Sequence, residues 1–310
     1  MNQETRRVIA LGFFDGVHVG HQALLAQCRS LAGENGLDTG AVTFRSHPDA
    51  LVFGAPPVLI NTPADRERLL GRYVRRVVTL PFDRQMQDTP WQDFLALLRR
   101  EYHAAGFVCG DDFRFGRQGR GNGALLADYC REQGLPWAVV PEQTLEGIRV
   151  SSTHIRTLLE QGDVSQANRF LGHPHILTGQ VVHGQQLGRT LGIPTANLPY
   201  PDGLVVPKSG VYATRICIDG ISHPAVTNVG TRPTVSGHSR NVESWILDYS
   251  GDLYGRELTV EFYQFLRPER KFDSLEQMQQ EIHRNARQTR AYFAELAYSL
   301  PTRYNSRKTV

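Results

Sequence analysis

The chain has 310 residues, 40% of them hydrophobic and 21% charged, which supplies apolar material for real cores and excludes disorder, collagen and coiled coil. The 34 basic and 31 acidic residues leave a net charge of +3, too weak and dispersed to argue for nucleic acid by itself. No run approaches the roughly 18 to 20 apolar residues of a membrane helix. The apolar stretch Val8 to Phe14 is stopped by Asp15 with no cleavage site behind it, so a cytoplasmic protein without a membrane partner is expected.

From Arg7 to about Leu171, apolar runs of strand length (Val8 to Phe14, Gly40 to Phe44, Val77 to Leu80, Gly106 to Cys109, Pro136 to Val140) alternate with stretches of helical spacing (Gln22 to Leu31, Ala64 to Val74, Trp91 to Tyr102, Gly123 to Gln133). This βαβ rhythm predicts a Rossmann-like α/β domain, a parallel sheet covered by helices with ligands at the carboxyl ends of its strands. Ser151 and Ser152 suit the cap of a helix beginning at Ser152, with Ile155, Leu158 and Leu159 as its apolar face.

After Leu171 the texture changes. Gly172-His173-Pro174 reads as a linker, and the runs Leu177 to His183, Gly210 to Ile218, His223 to Val229, Val242 to Tyr249 and Glu257 to Leu266 carry no helical stretch between them. They predict a small antiparallel β-barrel or sandwich, followed by a C-terminal helix capped by Asp273 that reaches Tyr292 and Phe293. The expected domains are residues 1–172 and 173–310, and the last ten residues read as a loose tail.

Cys28, Cys109, Cys130 and Cys217 are too far apart to write a zinc or dithiol motif and are expected as buried thiols. Lysine occurs only at 208, 271 and 308, so a phosphate bound by the N-terminal half must be held by arginine, backbone N–H groups or helix N-termini, and a P-loop is excluded there.

Two constellations carry chemistry. In Gly12-Phe13-Phe14-Asp15-Gly16-Val17-His18-Val19-Gly20-His21, a strand gives way to a helix. His18 and His21 flank Gly20, so two imidazoles and the opening N–H groups can converge on phosphate oxygens while glycine permits close approach. A chance pair of core histidines is the bland alternative. Thr43 to Pro48, Gly110 to Gly116 and Ser151 to Arg156 follow other strands of the same half, and each alone would be read as a turn or a cap. In the C-terminal half, Gly184, Gly188 and Gly192 could wrap a polyphosphate, and the Thr195 hydroxyl and Asn197 carboxamide oxygen are hard ligands suited to Mg²⁺. A hairpin loop needing glycine is the competing explanation.

The first set resembles the FMN adenylyltransferase module of the bacterial bifunctional riboflavin kinase/FAD synthetases, an α/β nucleotidyltransferase with a His-x-Gly-His motif. The resemblance implies that His18 and His21 contact ATP phosphates, that Asp111, Asp112 and Phe113 shape the nucleotide and flavin site, and that Ser152, Thr153 and Arg156 stabilise departing pyrophosphate. Gly188-Arg189-Thr190 and Pro194-Thr195-Ala196-Asn197 resemble the phosphate and metal signature of the riboflavin kinase module, and the family pattern makes Glu243 the general base. Phe13 stands where members often have asparagine, His154 where many have arginine, and Trp245 where histidine is common. The implied activity is phosphorylation of riboflavin to FMN, then adenylylation to FAD, with ATP as co-substrate, Mg²⁺ in both steps and riboflavin, FMN and FAD as ligands. No nucleic-acid partner is expected, and the state is a monomer or weak homo-oligomer. The alternatives are a kinase with a relic adenylyltransferase half, or a non-catalytic flavin- or nucleic-acid-binding protein.

Overall fold

The computed structural model describes residues 5–52, 54–55, 57–184, 192–234 and 237–299. Gly188, Arg189 and the C-terminal tail lie outside the described residues. The chain divides into two compact units: Met1–Arg156 with Phe170–His173 and Gly203–Val205, and Thr157–Arg169 with Pro174–Asp202 and Val206–Val310.

In the first unit, β1 (Arg7–Leu11), β2 (Asp38–Phe44), β3 (Arg76–Leu80), β4 (Ala104–Gly110) and β5 (Trp137–Val140) form a parallel sheet in the order β3-β2-β1-β4-β5. The connections hold α1 (Val19–Glu34), α2 (Pro48–Val52), α3 (Pro63–Leu70), α4 (Arg84–Asp88), α5 (Trp91–Tyr102) and α6 (Gly123–Gln133). Ile9, Leu11, Phe107 and Cys109 of the sheet pack with Phe94, Leu95 and Leu98 of α5 and Leu126 of α6. Each such side chain contributes about 1.5–3 kcal/mol on burial. The strand order reverses between β1 and β4, the crevice where open α/β sheets bind ligands.

The first strand ends three residues earlier than its apolar run, because Phe14 takes a left-handed φ of 61° that no strand can continue through. After β5 come a hairpin, β6 (Thr144–Leu145) with β7 (Ile148–Arg149), and then α7 (Ser152–Gln161) and α8 (Val164–Leu171). Ser151 caps α7, its hydroxyl accepting from His154 N at 3.2 Å.

In the second unit, β8 (His175–Gln180), β9 (Thr195–Pro199), β10 (Gly210–Ile218), β11 (Ile221–Thr234), β12 (Gly237–Ile246) and β13 (Glu257–Arg267) form an antiparallel sheet in the order β8-β13-β10-β11-β12-β9. Asp219 (φ 51°) and Gly220 (φ 81°) make the two-residue turn between β10 and β11, the positive-φ pair that matches strand twist. Beyond β8, Val182 N donates to Asn197 O at 2.9 Å, joining the two edges and curling the sheet into a barrel. The last helix, α9 (Leu275–Ser299), packs Ala286 against Val211, Val226 and Leu247. Its cap is Ser274 rather than Asp273: the Ser274 hydroxyl accepts from Gln277 N at 3.2 Å. Cys28, Cys109 and Cys130 are buried, and burial raises their thiols to about 11, 12 and 12; Cys217, expected inside, is exposed.

Candidate active sites

The turn between β1 and α1 is strained. Phe14, Gly16 and Val17 take φ of 61°, 79° and 42°, the last costly for a β-branched residue. Other elements hold it in place. Thr43 Oγ1 donates to Phe13 O (2.7 Å), Ser152 Oγ to Asp15 O (3.0 Å) and Gln22 Nε2 to Val17 O (2.9 Å), while His173 Nε2 lies 2.9 Å from Gly16 O. The Asp15 carboxylate, 4% exposed, accepts from Ile60 N (2.8 Å), Asn61 N (3.4 Å) and Arg156 Nη1 (2.9 Å). Burial pushes this carboxyl up from the usual range, and those donors pull it back.

His18 is the cap of α1, its Nδ1 accepting from His21 N at 3.3 Å. The neutral ring therefore carries its proton on Nε2, free to donate. The two imidazoles stack, with centroids 3.6 Å apart and planes 11° apart. Burial lowers His18 to about 4 and takes His21 well below its ordinary value, so both are neutral near pH 7.

A cleft of about 840 Å³ opens beside them at the carboxyl ends of β1, β4 and β5. His18, Gly20 and His21 line it with Asp111, Asp112, Phe113 and Ser152, so two helix N-termini, of α1 and α7, face one space. Thr153 and Arg156 are not on this lining; they sit in the first turns of α7, where Arg156 Nη2 donates to Thr153 Oγ1 at 3.1 Å and Nη1 to Asp15. Four further participants were given no role from the sequence. Asp15 and Asn61 tie the turn to the loop before α3. Arg149 lines the cleft and pairs with Asp112 (3.0 Å) and with Glu142. His47 meets Phe13 edge-on, centroids 4.5 Å apart. Asp15 and His47 fall within runs already singled out, and Arg149 stands two residues before the Ser151-Ser152 pair, whereas Asn61 had no local signal.

The second constellation lies where β9, β12 and β11 run side by side. Glu243 is opposite Asn197 on one neighbour and Asn228 on the other, and Asn241 Nδ2 reaches both Asn197 Oδ1 (3.2 Å) and Glu243 Oε1 (3.3 Å). A Cβ at Gly184 would fall 2.6 Å from Asn197 Nδ2, so any larger residue there must displace the Asn197 side chain. Gly192 has φ 69° with open space where a Cβ would lie, so its need is conformational. Two cavities meet at Thr195. One, of about 650 Å³, is lined by Gly184, Asn197, Tyr249 and Tyr254; the other, of about 820 Å³, by Glu243, Trp245, Phe272 and Arg267. Trp245 lies edge-on to His283 of α9, centroids 5.4 Å apart. The Thr195 hydroxyl and the Asn197 carboxamide are neutral hard oxygens, a donor set that fits Mg²⁺ completed by phosphate and water.

A parallel α/β unit with a polyphosphate-ready turn, and an antiparallel barrel whose two cavities share a threonine, define a two-module nucleotide-dependent transferase. A sequence model described as FAD synthetase matches residues 1–154, and one described as riboflavin kinase matches residues 171–293. The bifunctional riboflavin kinase/FMN adenylyltransferase of Pseudomonas fluorescens is 37% identical over 294 residues, covering 94% of each chain. That of Listeria monocytogenes is 35% identical over 299 residues, again 94% of each, and that of Escherichia coli is 35% identical over 290 residues, 92% of each. A crystal structure described as a macrolide-efflux protein from Streptococcus pneumoniae superposes with a TM-score of 0.82 at 32% identity, covering 94% of this chain and 95% of that one. No helix among the described residues is long and apolar enough to cross a membrane. The chain belongs to the bifunctional riboflavin kinase/FMN adenylyltransferase family.

Proposed function

We propose that residues 173–310 phosphorylate riboflavin through Glu243, Thr195 and Asn197, and that residues 1–172 adenylylate the resulting FMN through His18, His21, Ser152, Thr153 and Arg156. The overall activity, riboflavin to FMN to FAD at the expense of two ATP, is that of the family. What supports the adenylylation assignment is the convergence of both imidazoles, the α7 N-terminus and Asp111, Asp112 and Phe113 on one cleft at the strand-order reversal. There the neutral histidines donate to the polyphosphate and the protein positions groups rather than forming bonds, while Arg156, off the cleft lining and paired with Asp15, would have to turn toward the pyrophosphate to balance it as it leaves.

In the barrel, Thr195 at the junction of the two cavities supports a transfer between them, with the nucleotide on the Gly184 and Tyr254 side and the flavin on the Glu243 and Trp245 side. Glu243 accepts the proton of the ribityl 5′-hydroxyl as phosphoryl transfer proceeds. Mg²⁺ held by Thr195 and Asn197 would neutralise developing phosphate charge. In the N-terminal unit no group of three or more His, Cys, Asp or Glu residues suited to a metal occurs among the described residues, and Mg²⁺ there is proposed to enter with ATP. Gly188 and Arg189 belong to the same proposed phosphate loop as Gly184 and Gly192. The protein is proposed to work in the cytoplasm without a nucleic-acid partner, as a monomer or weak homo-oligomer.

Separate incubations of the purified protein with ATP and Mg²⁺, one started from riboflavin and one from FMN, followed by chromatography of the flavins, test both assignments. FAD from both reactions is expected. FMN alone from riboflavin, with supplied FMN unconverted, would reduce the N-terminal half to a relic.

A further inference from the structure

Arg66, in α3, is 0% exposed, among the largest fully buried side chains described. A buried guanidinium is costly unless its charge is matched and its donors are satisfied. Here they are not. Nη2 donates to the Phe44 carbonyl, while Nε and Nη1 have no hydrogen-bond partner. The guanidinium carbon lies 4.1 Å from the Phe13 ring centroid, a cation–π contact, and Phe13 in turn lines the cleft beside His18 and His21. An under-satisfied buried cation behind the wall of an anion site is poor material for stability alone, and calls for a charge that arrives later.

The groups around it give the same picture. Asp15 on the β1–α1 turn and Glu67 on its own helix favour the charged form, and burial brings the guanidinium down to about 10, so it stays cationic at neutral pH. Its charge acts on His21 of α1 and on His47 of the loop after β2. His47 also faces Asp49, at 3.5 Å, and Arg156 of α7. Asp15 is already engaged by Arg156 and two backbone N–H groups, which leaves the second buried cation without a dedicated anion.

We propose that Arg66 is a positioning residue for adenylyl transfer, a fixed buried cation that holds the Phe13 wall and offsets the polyphosphate charge entering beside His18 and His21. The proposal rests on the adenylyltransferase reading of the N-terminal unit. Arg66 does not touch the cleft; it works through Phe13 and through its field.

The test compares wild type, Arg66→Met and Arg66→Lys in thermal denaturation and in steady-state kinetics of FAD formation from FMN, with FMN formation from riboflavin as the control. Methionine keeps volume and removes the charge. The expected result for R66M is an unchanged or higher melting temperature, unchanged FMN formation and a KM for ATP raised about tenfold while the KM for FMN stays level. R66K should recover part of the ATP affinity. An R66M protein with wild-type KM for ATP overturns the proposal. So does an R66M protein that loses its fold while folded R66K raises the KM for FMN as much as that for ATP, because Arg66 is then a structural strut. Failure of the wild type to convert FMN would instead remove the underlying reading.

Discussion

At the scale of single residues the two activities should separate. His21→Ala is expected to abolish FAD formation from FMN and leave FMN formation intact, whereas Glu243→Gln should stop FMN formation and leave adenylylation of supplied FMN; flavin chromatography reads both. Equal loss of both products in either variant would break the assignment of sites to units. The histidine pair also carries a stability signature. His18 is neutral in the fold down to about pH 4, against 6.5 when unfolded, so the unfolded chain takes up the proton first. Stability of the first unit should therefore fall as pH drops from about 6.5 to about 4, by on the order of 3 kcal/mol from His18, with His21 adding in the same direction. Asp15, raised by burial, opposes this in the acid range just above its unfolded value. Denaturant titrations at pH 7, 5.5 and 4 check the slope, which His18→Gln should flatten. His18, His21 and Asn197 were singled out because they fall in short local runs of unusual chemistry, and Glu243 only through the family resemblance; their roles stand as proposals. Asp15, Asn61 and Arg66 were given no role, since each acquires meaning only when a distant loop or ring buries it.

At the scale of elements, glycines give the sharpest handles. Gly184→Ala would drive a methyl into the Asn197 side chain, so FMN formation should collapse with little change in melting temperature. Gly220→Ala, at φ 81° in the β10–β11 turn, should instead cost stability, about 1–2 kcal/mol, with kinetics unchanged below the melting transition. The long periodic elements were legible: β2, α5, α6, β10 and the last helix lie where the pattern placed them. Short α2, α4 and α8 were not, since five to eight residues carry too little periodicity. Strand β9 was hidden for a different reason. Thr195 to Pro199 reads as the end of a phosphate loop, and only its pairing with β12 makes it an edge strand. The cap of the last helix shifted by one residue because serine at 274 competes with aspartate at 273 for the same N–H groups.

At the scale of the whole molecule, each proposed site is built from residues of one unit: His18, His21, Ser152 and Arg156 in the first, Thr195, Asn197 and Glu243 in the second. The intermediate FMN is a soluble small molecule. A mixture of the H21A and E243Q proteins is thus expected to make FAD from riboflavin, since one supplies FMN and the other consumes it. Absence of FAD from the mixture would mean that FMN passes only within one chain. The order of the two fold classes, α/β first and barrel second, was legible from the change in punctuation after Leu171. The interleaving of units was not: residues 157–169 join the second and 203–205 the first, exchanges that leave no trace in composition.

The seam of the barrel is also part of its proposed chemistry. The Val182 amide that bridges the two edges of the curled sheet donates to the carbonyl of Asn197, whose side chain lines the cavity proposed for the phosphates. If Asn197 holds the metal as proposed, opening the sheet at that bridge is expected to displace it, coupling local opening to loss of kinase activity. Amide hydrogen exchange at Val182 would then serve as a clock for the kinase module, slowing when nucleotide and flavin together clamp the seam.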